Sequence, residues 1–272
     1  MSFYGTSMLF DGVSCEEMGL VMYDFASSRQ SATTFTSDLE IAEDRIDGRY
    51  RSLFYGGAVN APLTFTMVLC VSEDRAASNE PLDRWDLQKI ASWLTGHREY
   101  KWLSIVQEDM EEIRYRCLIS DLQAVEVAGN KWGVSFQVTC DSPYAYLRPM
   151  VYDYMVASSL TTTLRSESSH NGFYYPKLAI TGHTGGDLSI WIENRMETSS
   201  FTFQGLPSAM VDLTIDCENG VITSASGLNP YQYLSYDTPF HFPRFARGDN
   251  TITMTGSGRY TFTCEWPVNV GG

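Results

Sequence analysis

The chain has only four lysines and 19 basic residues in all against 33 acidic ones, which leaves a formal net charge of −14 over 272 residues. Duplex DNA owes most of its hold on proteins to Lys and Arg that displace condensed counterions, so a surface this acidic repels nucleic acid. The deficit runs the whole length: 22 acids stand against 12 bases up to Leu147, and 11 against 7 after it. No apolar run approaches the roughly 18 residues that a membrane-spanning helix needs. The first base is Arg29, and Asp11, Glu16 and Glu17 interrupt the opening segment, so a signal peptide's charged and apolar regions are both missing. These absences describe a protein made in the cytoplasm and soluble until something assembles it.

Motifs that carry chemistry are missing as well. The six cysteines are widely spaced, and the closest two, Cys117 and Cys140, have 22 residues between them, so no zinc or redox spacing exists. Cys117, Cys140, Cys217 and Cys264 each share an alternating apolar face with large hydrophobes, as reduced thiols acting as small core residues do; disulfides of a secreted chain are the alternative. The four histidines are scattered, with no His-Glu-x-x-His, Gly-x-Ser-x-Gly or Gly-Lys-Ser/Thr pattern. Glu108, Asp109, Glu111 and Glu112 would offer paired carboxylates for glycoside hydrolysis, but their crowding just before a strand reads as a solvated turn. Asp216, Glu218 and Gly220 resemble the start of a calcium loop whose closing glutamate is replaced by Gly227, which leaves a hairpin turn. Arg247-Gly248-Asp249 is too short to argue for cell adhesion. No catalytic residue, cofactor or metal ligand is expected, and the chain is read as a non-enzyme.

What is present is a strand-forming sequence. Aromatics at 13% with 19% charged residues exclude disorder, and the length suits two domains. Leu63, Phe65, Met67, Leu69 and Val71 form one purely apolar face after Pro62. Ile113 to Ile119 alternates likewise and runs on to a Gly129-Asn130 turn, beyond which Trp132, Val134, Phe136, Val138 and Cys140 share a face, as in an antiparallel hairpin. Between them Leu82, Trp85, Leu87, Ile90, Trp93 and Leu94 recur at helical spacing, which predicts a helix over 81–95 with Pro81 at its first position and both tryptophans packed on a sheet. The hydroxyl-rich stretch 158–172 reads as a loop. From Tyr175 short strands recur about every ten residues, including Leu188-Ile190-Ile192, Leu213-Ile215-Cys217 and a closing Tyr260-Phe262-Cys264-Trp266, the pattern of a sandwich. The expected fold is mainly β: two β-sandwich domains, 1–147 with one helix and a hairpin arm, and 148–272.

The order of several segments resembles the distal tail protein family of long-tailed phages, with its prophage and tailocin relatives. Phe10-Asp11-Gly12 with Met18-Gly19-Leu20 is similar to the family's first hairpin, and Arg45-Ile46-Asp47-Gly48-Arg49 to its Gly-Arg segment. The helix followed by Tyr100-Lys101-Trp102-Leu103 resembles a further family element, and Gly129 to Tyr146 (GNKWGVSFQVTCDSPYAY) ends in the Asp-x-Pro-Tyr segment that closes its N-terminal domain. Asn171-Gly172 with Tyr175-Pro176-Lys177, and Arg247 to Ile252, resemble the edges of its galectin-like sandwich. The resemblance implies a homo-hexameric ring in the virion tail. It joins the tail tube protein to the tail-tip or baseplate protein, offers docking to receptor-binding proteins and leaves a passage through which DNA moves without specific binding. An acidic lumen agrees with the scarcity of lysine.

Two groups of residues are candidate contact sites. Arg45, Arg49 and Arg51, beside Glu40, Glu43, Asp44 and Asp47 in the arm between Arg29 and Asn60, suit a ring interface in which charges set register; an ordinary solvated charge run is the alternative. Tyr231, Tyr233 and Tyr236, followed by Phe240, Phe242 and Phe245, suit docking, a core, or stacking on the sugars of a cell wall, and the last makes a carbohydrate-binding module the alternative function.

Overall fold

The structure is a computed structural model and describes residues 7–22, 39–59, 61–106, 112–237 and 239–270. Glu108, Asp109 and Glu111, and residues 29–38 and 60 of the arm, lie outside the described residues. The fold is mainly β, and it divides into two compact units, Met1–Tyr146 with Asn269–Gly272, and Leu147–Val268.

The first unit contains β1 (Ser7–Phe10), β2 (Val13–Ser14), β3 (Leu20–Met22), β4 (Leu39–Asp44), β5 (Leu53–Val59) and β6 (Thr64–Val71). Then come the helices α1 (Glu73–Ala77) and α2 (Arg84–Thr95), and β7 (Lys101–Val106), β8 (Ile113–Val127) and β9 (Asn130–Cys140). Seven strands form one antiparallel path in the order β2-β1-β7-β8-β9-β6-β3, which curls until β1 and β3 touch. Its inner face carries the core: Met67, Leu69 and Val71 of β6, Tyr115, Cys117 and Ile119 of β8, and Val134, Phe136, Val138 and Cys140 of β9. Asp11 and Gly12 both hold positive φ, 51° and 81°, so the β1–β2 connection is the mirror-image turn that matches strand twist.

The β8–β9 turn differs by one residue from the expected one. Val127 pairs with Asn130, so the two-residue loop is Ala128-Gly129, both with positive φ, and Asn130 already belongs to the strand. The helix also starts later than the periodicity suggests. Asp83 caps it by accepting the Asp86 N–H at 2.7 Å while the Asp86 carboxylate accepts the Asp83 N–H at 3.1 Å, so Pro81 stays outside. Ile90, Trp93 and Leu94 are buried, and the Trp93 indole donates to the Phe10 carbonyl at 3.1 Å. Trp85 sits on the far side of the helix and is 70% exposed, so only one tryptophan packs on the sheet. The short α1 is one further turn of helix that the sequence pattern does not announce, and its Arg75 pairs with Asp86.

After β10 (Ala145–Leu147) the second unit follows with β11 (Met150–Val156), β12 (Ser159–Ser166), β13 (Lys177–Thr181), β14 (Gly186–Asn194) and β15 (Thr198–Leu206). It continues with β16 (Leu213–Asp216), β17 (Val221–Ser224), β18 (Leu234–Ser235), β19 (Gly248–Thr255) and β20 (Gly258–Cys264). Two five-stranded sheets, β11-β20-β13-β16-β17 and β12-β19-β14-β15-β18, hold between them a core rich in aromatics, including Phe201, Phe203, Phe245, Tyr260, Phe262 and Trp266. The expected loop over 158–172 is half strand: Leu164 and Ser166 of β12 are buried while Thr161, Thr163 and Arg165 face out, a two-residue period that threonine's branched side chain suits.

Asn250, fully buried, organises the Arg247–Ile252 segment. Its amide nitrogen donates to the carbonyls of Ala246 and Gly248 at 2.9 Å and of Leu164 at 3.4 Å, and its oxygen accepts the Ala246 N–H at 2.9 Å. Replacing Asn250 with Ala strands these groups without solvent. A loss of about 2–3 kcal/mol in urea unfolding is expected, with the native circular dichroism unchanged. Asp86 gives a pH test. The Arg75 guanidinium beside it holds its carboxyl below the usual carboxylate range. A lowered folded-state pKa contributes stability above the unfolded value of about 4, which is lost as pH falls through the folded value. The stability gap between wild type and Asp86→Asn, measured by urea unfolding, should hold steady from neutrality to about pH 5 and narrow below pH 4.

Candidate functional site

Among the described residues, the arm is the most exposed element of the first unit. Strands β4 and β5 pair, among the described residues, only with each other, and a register shift after Ala42 leaves Tyr55 as the extra residue of a bulge. Every residue from Ile41 to Arg51 is exposed. Five of the arm's large side chains reach solvent: Ile41, Ile46, Phe54, Tyr55 and above all Tyr50, which is 91% exposed. A lone two-stranded hairpin is marginally stable in water, and this one leaves a large apolar surface uncovered.

Arg45, Arg49 and Arg51 all lie in or beside the turn of this hairpin, where with Tyr50 and Ser52 they line a shallow concavity. The Arg51 guanidinium stands 5.3 Å from the Tyr50 ring centroid, and Ser52 donates to the Glu43 carboxylate at 2.7 Å. Among the described residues none of the three arginines forms an ion pair with a carboxylate of its own chain. The turn thus brings these cations and the carboxylates of Glu43, Asp44 and Asp47 together at one exposed tip. The five hydrophobic residues were not singled out by sequence reasoning, because they follow no single period. The available signal was bulky apolar residues in a segment dense with charge.

The three tyrosines of the second unit occupy three different environments. Tyr231 lies within the 3₁₀ turn Pro230–Tyr233, and its hydroxyl accepts the Ile222 N–H at 2.8 Å and donates to the Gly220 carbonyl at 3.1 Å, so it clips the β16–β17 hairpin. Tyr233 is half-buried against the core, whereas Tyr236 is 64% exposed with its ring 5.0 Å from that of Phe240. Nearby, Tyr175, Phe240, His241, Phe242 and Arg244 line a depression. The Arg244 guanidinium chelates the Glu197 carboxylate, donates to the Tyr175 hydroxyl at 3.4 Å and lies 4.2 Å from the Phe173 centroid. The direct bonds to Glu197 raise the Arg244 pKa further. This cross-tie fastens the 239–246 segment to the β14–β15 turn. At the former calcium-loop candidate, the Asp216 carboxylate accepts both the backbone N–H of Asn219 at 3.1 Å and its side-chain amide at 2.9 Å, within a hairpin turn.

Residues 3–142 match the family model of a phage tail protein N-terminal domain, and residues 144–264 that of a phage tail C-terminal domain. The chain belongs to this phage tail protein family. The tail protein is a structural component, not an enzyme. Its fold is that of the Dit protein of phage SPP1, a crystal structure described as a paradigm of the hub adsorption apparatus in phages infecting Gram-positive hosts. That likeness has a TM-score of 0.67 at 12% identity and covers 96% of this chain and 98% of the other. A chain of the phage P2 baseplate in its activated conformation with Ca is also similar, with a TM-score of 0.52 at 7% identity over 95% and 97% of the two chains. No curated protein sequence matches.

Magnitudes separate the two kinds of arm residue. Fully burying a side chain such as Phe contributes about 1.5–3 kcal/mol, whereas an exposed ion pair contributes about 0.2–1 kcal/mol. In sedimentation velocity, any contact that covers the arm should therefore be abolished by Phe54→Ala with Tyr50→Ala. Changing Arg45, Arg49 and Arg51 together to Ala should weaken it less and flatten its salt dependence.

Proposed function

We propose that this tail protein is a hub subunit: six copies close into a ring that joins the tail tube to the tip or baseplate and leaves an axial passage for DNA. The observation that carries the reading is the β4–β5 hairpin, whose exposed hydrophobics and unpaired charges of both signs need a partner surface. Repetition of one such heterologous contact around an axis closes a ring when the rotation fits, and it needs no chemistry. The likeness of fold to a hub protein and to a baseplate chain supports the same assignment.

In this reading the first unit builds the ring through its arm, with Arg45, Arg49 and Arg51 facing carboxylates of the next copy. The second unit, a galectin-like sandwich of two five-stranded sheets, carries contacts to the tube, tip or receptor-binding proteins. The lumen is acidic, in keeping with a chain of four lysines, so that DNA passes without being held. The subunit is made in the host cytoplasm and ends in the virion tail. Light scattering on the purified chain tests the assembly: a mass of six chains is expected, and a strict monomer at high concentration would contradict it.

A further inference from the structure

We propose that Cys117 and Cys140 are a latent disulfide site in the core of the first unit, and that a disulfide oxidant converts them into a staple between β8 and β9. The strand register sets the two residues directly opposite each other in the antiparallel β8–β9 pair. Directly opposed residues project to the same face, and here both side chains are buried in one core cluster.

The hydrogen bonds decide which kind of opposed pair this is. The Asp141 N–H donates to the Arg116 carbonyl at 2.9 Å, and the Cys140 N–H turns away to the Leu63 carbonyl at 2.8 Å. The bond therefore joins the residues flanking the cysteines and not the cysteines themselves, which defines the closer, non-hydrogen-bonded pair. Such pairs hold their Cα atoms about 4.5 Å apart, inside the span that a disulfide bridges. In the strand registers Cys70 faces Gly133 and Cys264 faces Met150, so no other two cysteines oppose each other across a strand pair. All six are free thiols in this structure.

The chemistry balances with a small disulfide such as oxidised glutathione. One cysteine thiolate attacks a glutathione sulfur, forms a mixed disulfide and expels one reduced glutathione. The second thiolate then attacks the protein sulfur, closes the Cys117–Cys140 bond and expels the other. Two electrons pass to the oxidant, and the two thiol protons leave with the expelled thiolates. Burial pushes the Cys140 thiol up to about 12 and raises Cys117 as well, so the folded sheet reacts slowly and closure accompanies folding or local opening. A reducing cytoplasm keeps the site open, and an oxidising exterior permits closure. This inference stands independently of the ring.

The full chain, refolded from denaturant with oxidised and reduced glutathione, is unfolded in iodoacetamide and digested for mass spectrometry. The expected product is a Cys117–Cys140 cross-linked peptide that has lost two hydrogens, with Cys15, Cys70, Cys217 and Cys264 alkylated; its urea midpoint lies above that of the reduced protein. Cys140→Ala should return Cys117 to the alkylated set. Alkylation of both Cys117 and Cys140 in the wild type, a persistent glutathione adduct on either, or a dominant Cys217–Cys264 link would overturn the proposal.

Discussion

A two-stranded sheet has no second layer to cover its side chains, and in this tail protein that constraint falls on β4 and β5. Ile41, Tyr50, Phe54 and Tyr55 extend into solvent from strands and a turn that, among the described residues, pair with nothing else. At about 1.5–3 kcal/mol for each large side chain that becomes buried, a surface that covers them outweighs the modest contribution of the arginines around the turn. In the proposed ring the arginines act differently: as exposed cations beside carboxylates, they restrict which surface approaches and in which register. In that ring, affinity from the aromatics and register from the charges make one segment enough to define a contact.

The second unit shows the opposite tendency. Three of its polar side chains are tied to their own unit: Asn250 to the backbone around it, Tyr231 to the β16–β17 hairpin, and Arg244 to Glu197. These bonds replace chemistry with rigidity, since a group already engaged on both sides has little left to offer a substrate. The exposed Tyr236 ring beside Phe240 is an exception on that surface. In the proposed hub such a sandwich is a firm platform whose rims meet other proteins.

Much of this was legible in the residues. The period of two in Leu63–Val71 and Trp132–Cys140 gives the β6 and β9 faces that the structure buries, and the helical spacing of Ile90, Trp93 and Leu94 gives the face of α2 that packs. Where the reading slipped, a local geometry decided. Ala128 adopts a positive φ that is rare for alanine, which moved the turn by one residue, and the capping exchange between Asp83 and Asp86 overrode the preference of Pro81 for a first helical position. The threonines of β12 looked like loop because their hydroxyls hid a clean alternation. Arg45, Arg49 and Arg51 were identifiable from charge alone, but the hydrophobic residues beside them were not, because exposure is a tertiary property. The facing of Cys117 and Cys140 depends on a register that 22 intervening residues do not reveal.

The central claim is that the β4–β5 hairpin is completed by another copy of the chain. Hydrogen exchange of its backbone amides, followed by mass spectrometry on the same protein below and above its assembly concentration, tests this directly. Rapid exchange of residues 41–56 in the dilute protein and strong protection of the same residues in the assembled one is the predicted result. Equal exchange at both concentrations, with assembly occurring all the same, would show that the contact lies elsewhere.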